Sequence, residues 1–185
     1  MSTAARSDHW HRYFSARAEG QPRAGIWKIA PAGGEALQVT TDGGMTAEES
    51  HDGRSLYVTR PNQPALQLWR VPLDGGQDLL AEDVAVAQNF VVGRRAVYYL
   101  AVGPRLEHER PPAGMLSLGP SPGVMSYWVA AIDIATGRRT TLAPAGDAWI
   151  GLALSPDERR LITTVRNSET LDLMLVEPTP ATAPP

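Results

Sequence analysis

Apolar side chains alternate with polar ones over short stretches of this chain, and a turn signal closes each stretch. In "LQLWRVPLDGG", Leu66, Leu68 and Val71 surround Trp69, and Asp74-Gly75-Gly76 ends the run. "GIWKIAPAGG" does the same with Ile26, Trp27 and Ile29 before Gly33-Gly34. Trp27 and Trp69 are separated by the same interval as Gly34 and Gly76, so the stretch is a repeat and not a coincidence of composition. "YWVAAIDIATG" is a looser third copy ending at Gly137, and "LDLMLVEP" is a fourth that keeps the alternation without the glycine.

A second signature interleaves with the first. "SHDGRSLYVTR" from Ser50 and "SPDERRLITTV" from Ser155 both place Ser-x-Asp before a turn and an apolar run, with "FVVGRRAVYYL" between them. Asp and Gly suit the turn, while Val, Ile, Tyr and Thr favour the extended chain that follows. Each unit thus predicts four short strands, which in the second unit are Met45–Ser50, Ser55–Thr59, Leu66–Leu73 and Gln77–Leu80. No segment keeps a helical period, so the class is all-β. Four strands in about 40–45 residues define a β-propeller blade, with a two-layer sandwich as the competing architecture.

These residues carry a resemblance. "SPDERRLITTV", "HDGRSLYVTR" and "LWRVPLDGG" resemble the WD-like propeller repeats of the TolB family, from Trp10 to about Glu177. The resemblance implies antiparallel four-stranded blades in a ring that usually has six. Two departures stand out: Glu158 replaces the turn glycine, and "VVGRR" lacks the aspartate. Both predict looser turns. On this reading Trp27 and Trp69 are structural anchors buried between blades, not ligand platforms. Gly34 and Gly76 reverse the chain into the outer strand, and Asp52, Gly53 and Asp157 set the turns.

The register starts in the second strand of one unit and stops in the third strand of another, so about three and a half blades form an open arc. That arrangement anticipates an oligomer, or further blades supplied by a longer chain. The expected organisation is a flexible segment 1–9, a repeat domain 10–177 with an insertion at 103–126, and a Pro-rich tail 178–185. As written, the chain reads as cytoplasmic; as a piece of an exported protein it would be periplasmic.

Charge and candidate chemistry add limits. The net charge of -3 argues against a nucleic-acid surface. There is no cysteine, hence no thiolate chemistry and no Cys-ligated zinc. No apolar run is long enough to span a membrane. Gly-x-Ser-x-Gly, the phosphate loop and His-Glu-x-x-His are all missing from the sequence. His9 and His11, and the group Glu48, Glu49, His51 and Asp52, read as solvated polar residues. No cofactor or metal is expected.

The remaining pattern is cationic. Arg17, Arg60 and Arg166 fall near the ends of second strands, Asn62 follows Arg60, and Arg105 follows the strand in the third unit. His108 and Arg110 lie in the 103–126 segment. Equivalent loops of a propeller share one face, so this set predicts a binding face for a carboxylate-rich protein or peptide. The expected function is a non-catalytic interaction module. The alternatives are the gating propeller of a prolyl-oligopeptidase-like hydrolase and a sensor domain of a regulatory protein.

Overall fold

A computed structural model of the chain describes residues 12–103, 127–146, 148–166 and 171–176. The described residues contain strands and turns and no helix, so none is long and apolar enough to cross a membrane. The strands group as four successive antiparallel meanders. The first holds β1 (Arg12–Ala16), β2 (Gly25–Ile29) and β3 (Leu37–Gln38). The second holds β4 (Thr46–Glu49), β5 (Ser55–Arg60), β6 (Leu66–Pro72) and β7 (Asp78–Val84). The third holds β8 (Phe90–Val92), β9 (Ala96–Val102), β10 (Tyr127–Asp133) and β11 (Arg139–Gly146). The fourth holds β12 (Ala148–Leu154), β13 (Leu161–Arg166) and β14 (Leu171–Val176).

These are propeller blades in an open arc, as the repeat predicted. The second and third are joined where Val84 of β7 pairs with Ala101 of β9. In the second blade the first three strands match the expected boundaries to within one residue at each end, and the last runs on to Val84. Glu82 and Asp83 disguise this strand in the sequence. Both are used at its edge: Gln67 Nε2 donates to Glu82 at 2.9 Å, and Tyr99 Oη donates to Asp83 at 3.2 Å.

Register explains how the blades stack. Phe14 faces Trp27 across β1–β2 as Val58 faces Trp69 across β5–β6. Side chains alternate between the two faces of each blade. One face of β5–β7 gives Tyr57, Leu68 and Ala81 to a core shared with Val97, Tyr99, Ala130 and Ile132 of the third blade. The other gives Leu56 and Val58 to a smaller core with Ile26 of the first. Leu100 and Val129 on the far side of the third blade meet Leu152 and Leu161 of the fourth.

Among the described side chains, the fully buried ones at these junctions are therefore Tyr57, Tyr99, Phe90 and aliphatics, and not Trp27 or Trp69. Trp27 and Trp69 are both half-buried. An indole that must also place its N–H beside an acceptor sits at the margin of a packed junction. Trp27 Nε1 donates to Ala16 O at 3.1 Å, and Trp69 Nε1 to Gln67 Oε1 at 3.0 Å. Gly34 and Gly76 do lie in the turns before the outer strands, at φ 112° and 85°.

The two departures from the repeat correct the expectation of looser turns. Asp52 accepts from Ser50 Oγ (2.6 Å) and Arg54 N (3.1 Å), and Asp157 accepts from Ser155 Oγ (2.6 Å) and Arg159 N (3.1 Å). The turn at Glu158 is thus built like the one at Gly53, and Glu158 takes the same left-handed backbone, φ 57° against 68°. Its carboxylate reaches the neighbouring blade, where Oε1 accepts the Arg94 N–H at 2.9 Å. So the turn without an aspartate receives its carboxylate from the residue that replaced a glycine. Gly93 makes room for this, since a Cβ there would stand 3.1 Å from Glu158 Oε2.

Candidate functional site

Two sets of loops leave the arc. The C-terminal ends of β1, β5, β9 and β13 lie on one face, which the sequence nominated. Arg17 and Asn62 are exposed there. Arg60 is not available: it is 6% exposed, its Nη1 donates to Asp42 Oδ2 and Gln77 Oε1, both at 2.9 Å, and its guanidinium lies 4.8 Å from the centre of the Trp69 ring. Among the described residues its Nε and Nη2 have no hydrogen-bond partner. Stacking on the indole face partly offsets the cost of leaving them so. Arg60 therefore fastens the connection before β4 to the second blade and does not greet a partner. Arg166 ends β13, and its side chain lies outside the described ones. Arg105, His108 and Arg110 lie outside the described residues, as do most of the 103–126 segment, the 1–9 segment and the 178–185 tail.

The opposite face carries the tighter arrangement. Counting back from the first core residue of each second strand (Leu56, Val97 and Leu161), the position two residues earlier is Arg54, Arg95 and Arg159. All three are exposed, and none makes an ion pair with another described residue. Three consecutive blades thus place a guanidinium at the same step of the repeat. Arg94 and Arg138 are exposed in the neighbouring turns. The signal was present in "DGRS", "GRRA" and "DERR", each with an arginine just before the strand. The three arginines fall in register only when the strands are aligned by their core residues, because the three turns differ in sequence.

A cleft of about 220 Å³ opens on this face between the second and third blades. Tyr57, Leu80, Val97 and Ile132 line it, with Arg70 and Asp133 among its polar lining. Arg70 Nη2 is tied to Asp78 at 2.6 Å. Asp133 accepts from Thr136 N and Oγ1, both at 2.8 Å, and these bonds, helped by the Arg95 charge, hold its carboxyl below the ordinary aspartate range. Asp52 and Asp157 are likewise held low, first by the serine hydroxyl and then by the turn amide. Burial pushes the Tyr57 phenol up, so it stays a neutral donor at the cleft. The result is an apolar slot with donors and fixed charges around it. Among the described residues no group of His, Asp and Glu has the geometry to hold a metal.

This architecture is shared with solved propellers. TolB from Acinetobacter baumannii superposes with a TM-score of 0.62 at 18% identity, covering 89% of this chain and 37% of that one. A putative TolB from Agrobacterium tumefaciens gives 0.60 at 15% identity, covering 91% of this chain and 56% of that one. A prolyl endopeptidase gives 0.57 at 14% identity, over 93% of this chain and 27% of that one. The protein is a β-propeller segment of the TolB-like fold. It spans little more than a third to just over half the length of the two TolB structures. No family model matches the sequence, and no curated protein does.

Proposed function

We propose that this propeller segment is a non-catalytic module that holds a protein or peptide partner on the face formed by the turns before β5, β9 and β13. The observation that carries the reading is the in-register row Arg54, Arg95 and Arg159 on the face where the cleft at Tyr57 opens. A peptide with an apolar side chain in the cleft and carboxylates over the row fits both features, because guanidinium groups bind carboxylates through paired hydrogen bonds. Arg17 and Asn62 on the opposite face serve as the control surface.

Binding of a labelled peptide with one leucine flanked by glutamates tests the reading by fluorescence anisotropy. Charge reversal of all three arginines to Glu is expected to abolish binding, while Arg17→Glu with Asn62→Ala leaves it intact. Equal binding by both variants would discard this face. A second reading, the gating propeller of a larger hydrolase, draws on the likeness to the prolyl endopeptidase. Under the first reading, repurified protein turns over no ester or peptide substrate.

A further inference from the structure

The first two blades carry a tyrosine at the same step of the repeat. Tyr13 faces Lys28 across β1–β2, and Tyr57 faces Arg70 across β5–β6. Each packs toward the blade that follows. Tyr13 Oη donates to Glu49 Oε2 of the second blade at 3.1 Å. Glu49 pairs with Leu56, and at the matching place in the third blade Val92 pairs with Val97. The following blade thus offers Tyr57 a valine where it offers Tyr13 a carboxylate. Tyr57 is 1% exposed, yet among the described residues its hydroxyl has no hydrogen-bond partner. That oxygen is not sealed as Nε and Nη2 of Arg60 are, and it opens on the cleft of about 220 Å³ that Tyr57 lines. Arg70 lines the same cleft, and Asp78 Oδ2 accepts from its Nε and Nη2, which leaves Nη1. Asp133, the carboxylate of the lining, is turned to Thr136 N and Oγ1. At this step of the third blade Tyr98 faces Ala131, so the pairing of phenol with cation is not repeated there.

Given a peptide held on this face, as proposed above, we infer that the cleft takes its C-terminal residue, an aliphatic one, with the terminal carboxylate on the Tyr57 hydroxyl and Arg70 Nη1. A carboxylate supplies to Tyr57 the acceptor that Glu49 supplies to Tyr13. Burial keeps the phenol protonated, so it donates. Hydrogen bonds from a phenol and a guanidinium to a carboxylate are of the strong, charge-assisted kind. Leu80, Val97 and Ile132 form the apolar wall beside them. A chain terminus carries an aliphatic side chain and a carboxylate on one Cα, so a single residue satisfies both halves of the slot. Pockets for drug-sized ligands run to ~300–1,000 Å³, and this smaller one suits a single residue. Capture of a terminal carboxylate is also a recurrent mode of peptide recognition.

Fluorescence anisotropy with labelled peptides of equal charge tests this: Glu-Glu-Leu with a free carboxylate, and Glu-Glu-Glu-Leu and Glu-Leu-Glu-Glu, both ending in an amide. The acid is expected to bind at least about tenfold tighter than either amide, the loss that removing a charge-assisted bond brings. Tyr57→Phe keeps the ring, removes the hydroxyl and is expected to cut that preference to about threefold or less. Circular dichroism melts confirm the fold, and Arg70→Gln is read instead if the phenylalanine variant loses its cooperative transition. Equal binding of acid and amides overturns the inference, and so does a preference for the acid that the variant leaves unchanged. The peptide-binding face itself still stands if charge reversal at Arg54, Arg95 and Arg159 abolishes binding of the amides. Binding of none of the peptides overturns the face and the inference together.

Discussion

Tyr57 and Ile162 occupy the same step of the repeat, two residues past the one whose carbonyl closes the preceding turn. Tyr57 packs against Val97, Tyr99 and Ile132 of the next blade and is 1% exposed, while Ile162 stands 38% exposed. Phe14 and Val58 form a second matched pair, 41% and 0% exposed, at the other end of the stack. The pairs show that a blade's apolar faces are fixed by local alternation, whereas their value depends on whether another blade follows. One sequence rule thus yields a core residue in one place and an exposed apolar residue in another.

The largest effect should come from breaking the packed side of the first pair. Tyr57→Ala is expected to cost about 3–5 kcal/mol, as truncation of a buried aromatic does. Ile162→Ala measured on dilute protein should cost less than about 1 kcal/mol. Urea melts of both decide it, and equal costs would mean that the fourth blade's outer face is covered. Next come the tryptophans. Trp69→Ala removes the ring over which the Arg60 guanidinium lies, and it should cost about 2 kcal/mol more than Trp27→Ala.

A smaller difference separates the side chains that bridge blades. Glu158→Ala keeps the left-handed strain and loses the bond to Arg94, at an expected cost of about 1–2 kcal/mol. Glu158→Gly also loses the bond but accepts the backbone angle, and should melt above the alanine variant.

The smallest effect is a pH dependence at Glu48, whose Oε2 accepts the Val92 N–H of the third blade at 2.9 Å. Burial raises its carboxyl, and the Val92 bond offsets this only in part. A raised acid favours the folded state while protonated, so its contribution is present below the ordinary glutamate range and is lost as pH rises through its folded value. Glu48→Gln keeps an acceptor for Val92 and should flatten the fall in stability of the parent over that window, read by thermal melts in matched buffers. An unchanged slope would place the pH dependence elsewhere.

Much of the arc is legible in the sequence. Ser50-His51-Asp52-Gly53 and Ser155-Pro156-Asp157-Glu158 gave the turns, and the alternation around Trp69 gave β6 within a residue. β7 was read short because Glu82 and Asp83 look like loop, and only their partners across the edge explain them in a strand. The candidate site was read less well. Arg60 looked like a free loop arginine because sequence carries no sign of Asp42 and Trp69 closing around it. Arg54, Arg95 and Arg159 were in view, but their shared face emerges once the three strands are aligned by their core residues.

By itself the sequence determined the repeat, the four-stranded unit and which residues turn, since these rest on period, chirality and hydrogen bonds within a few residues of each other. Only the tertiary structure decided which apolar faces are covered, that Glu158 serves a turn 64 residues away, and that Arg60 is spent on a stack instead of a partner. Those outcomes depend on blade against blade, and packing between blades joins positions that local pattern cannot relate.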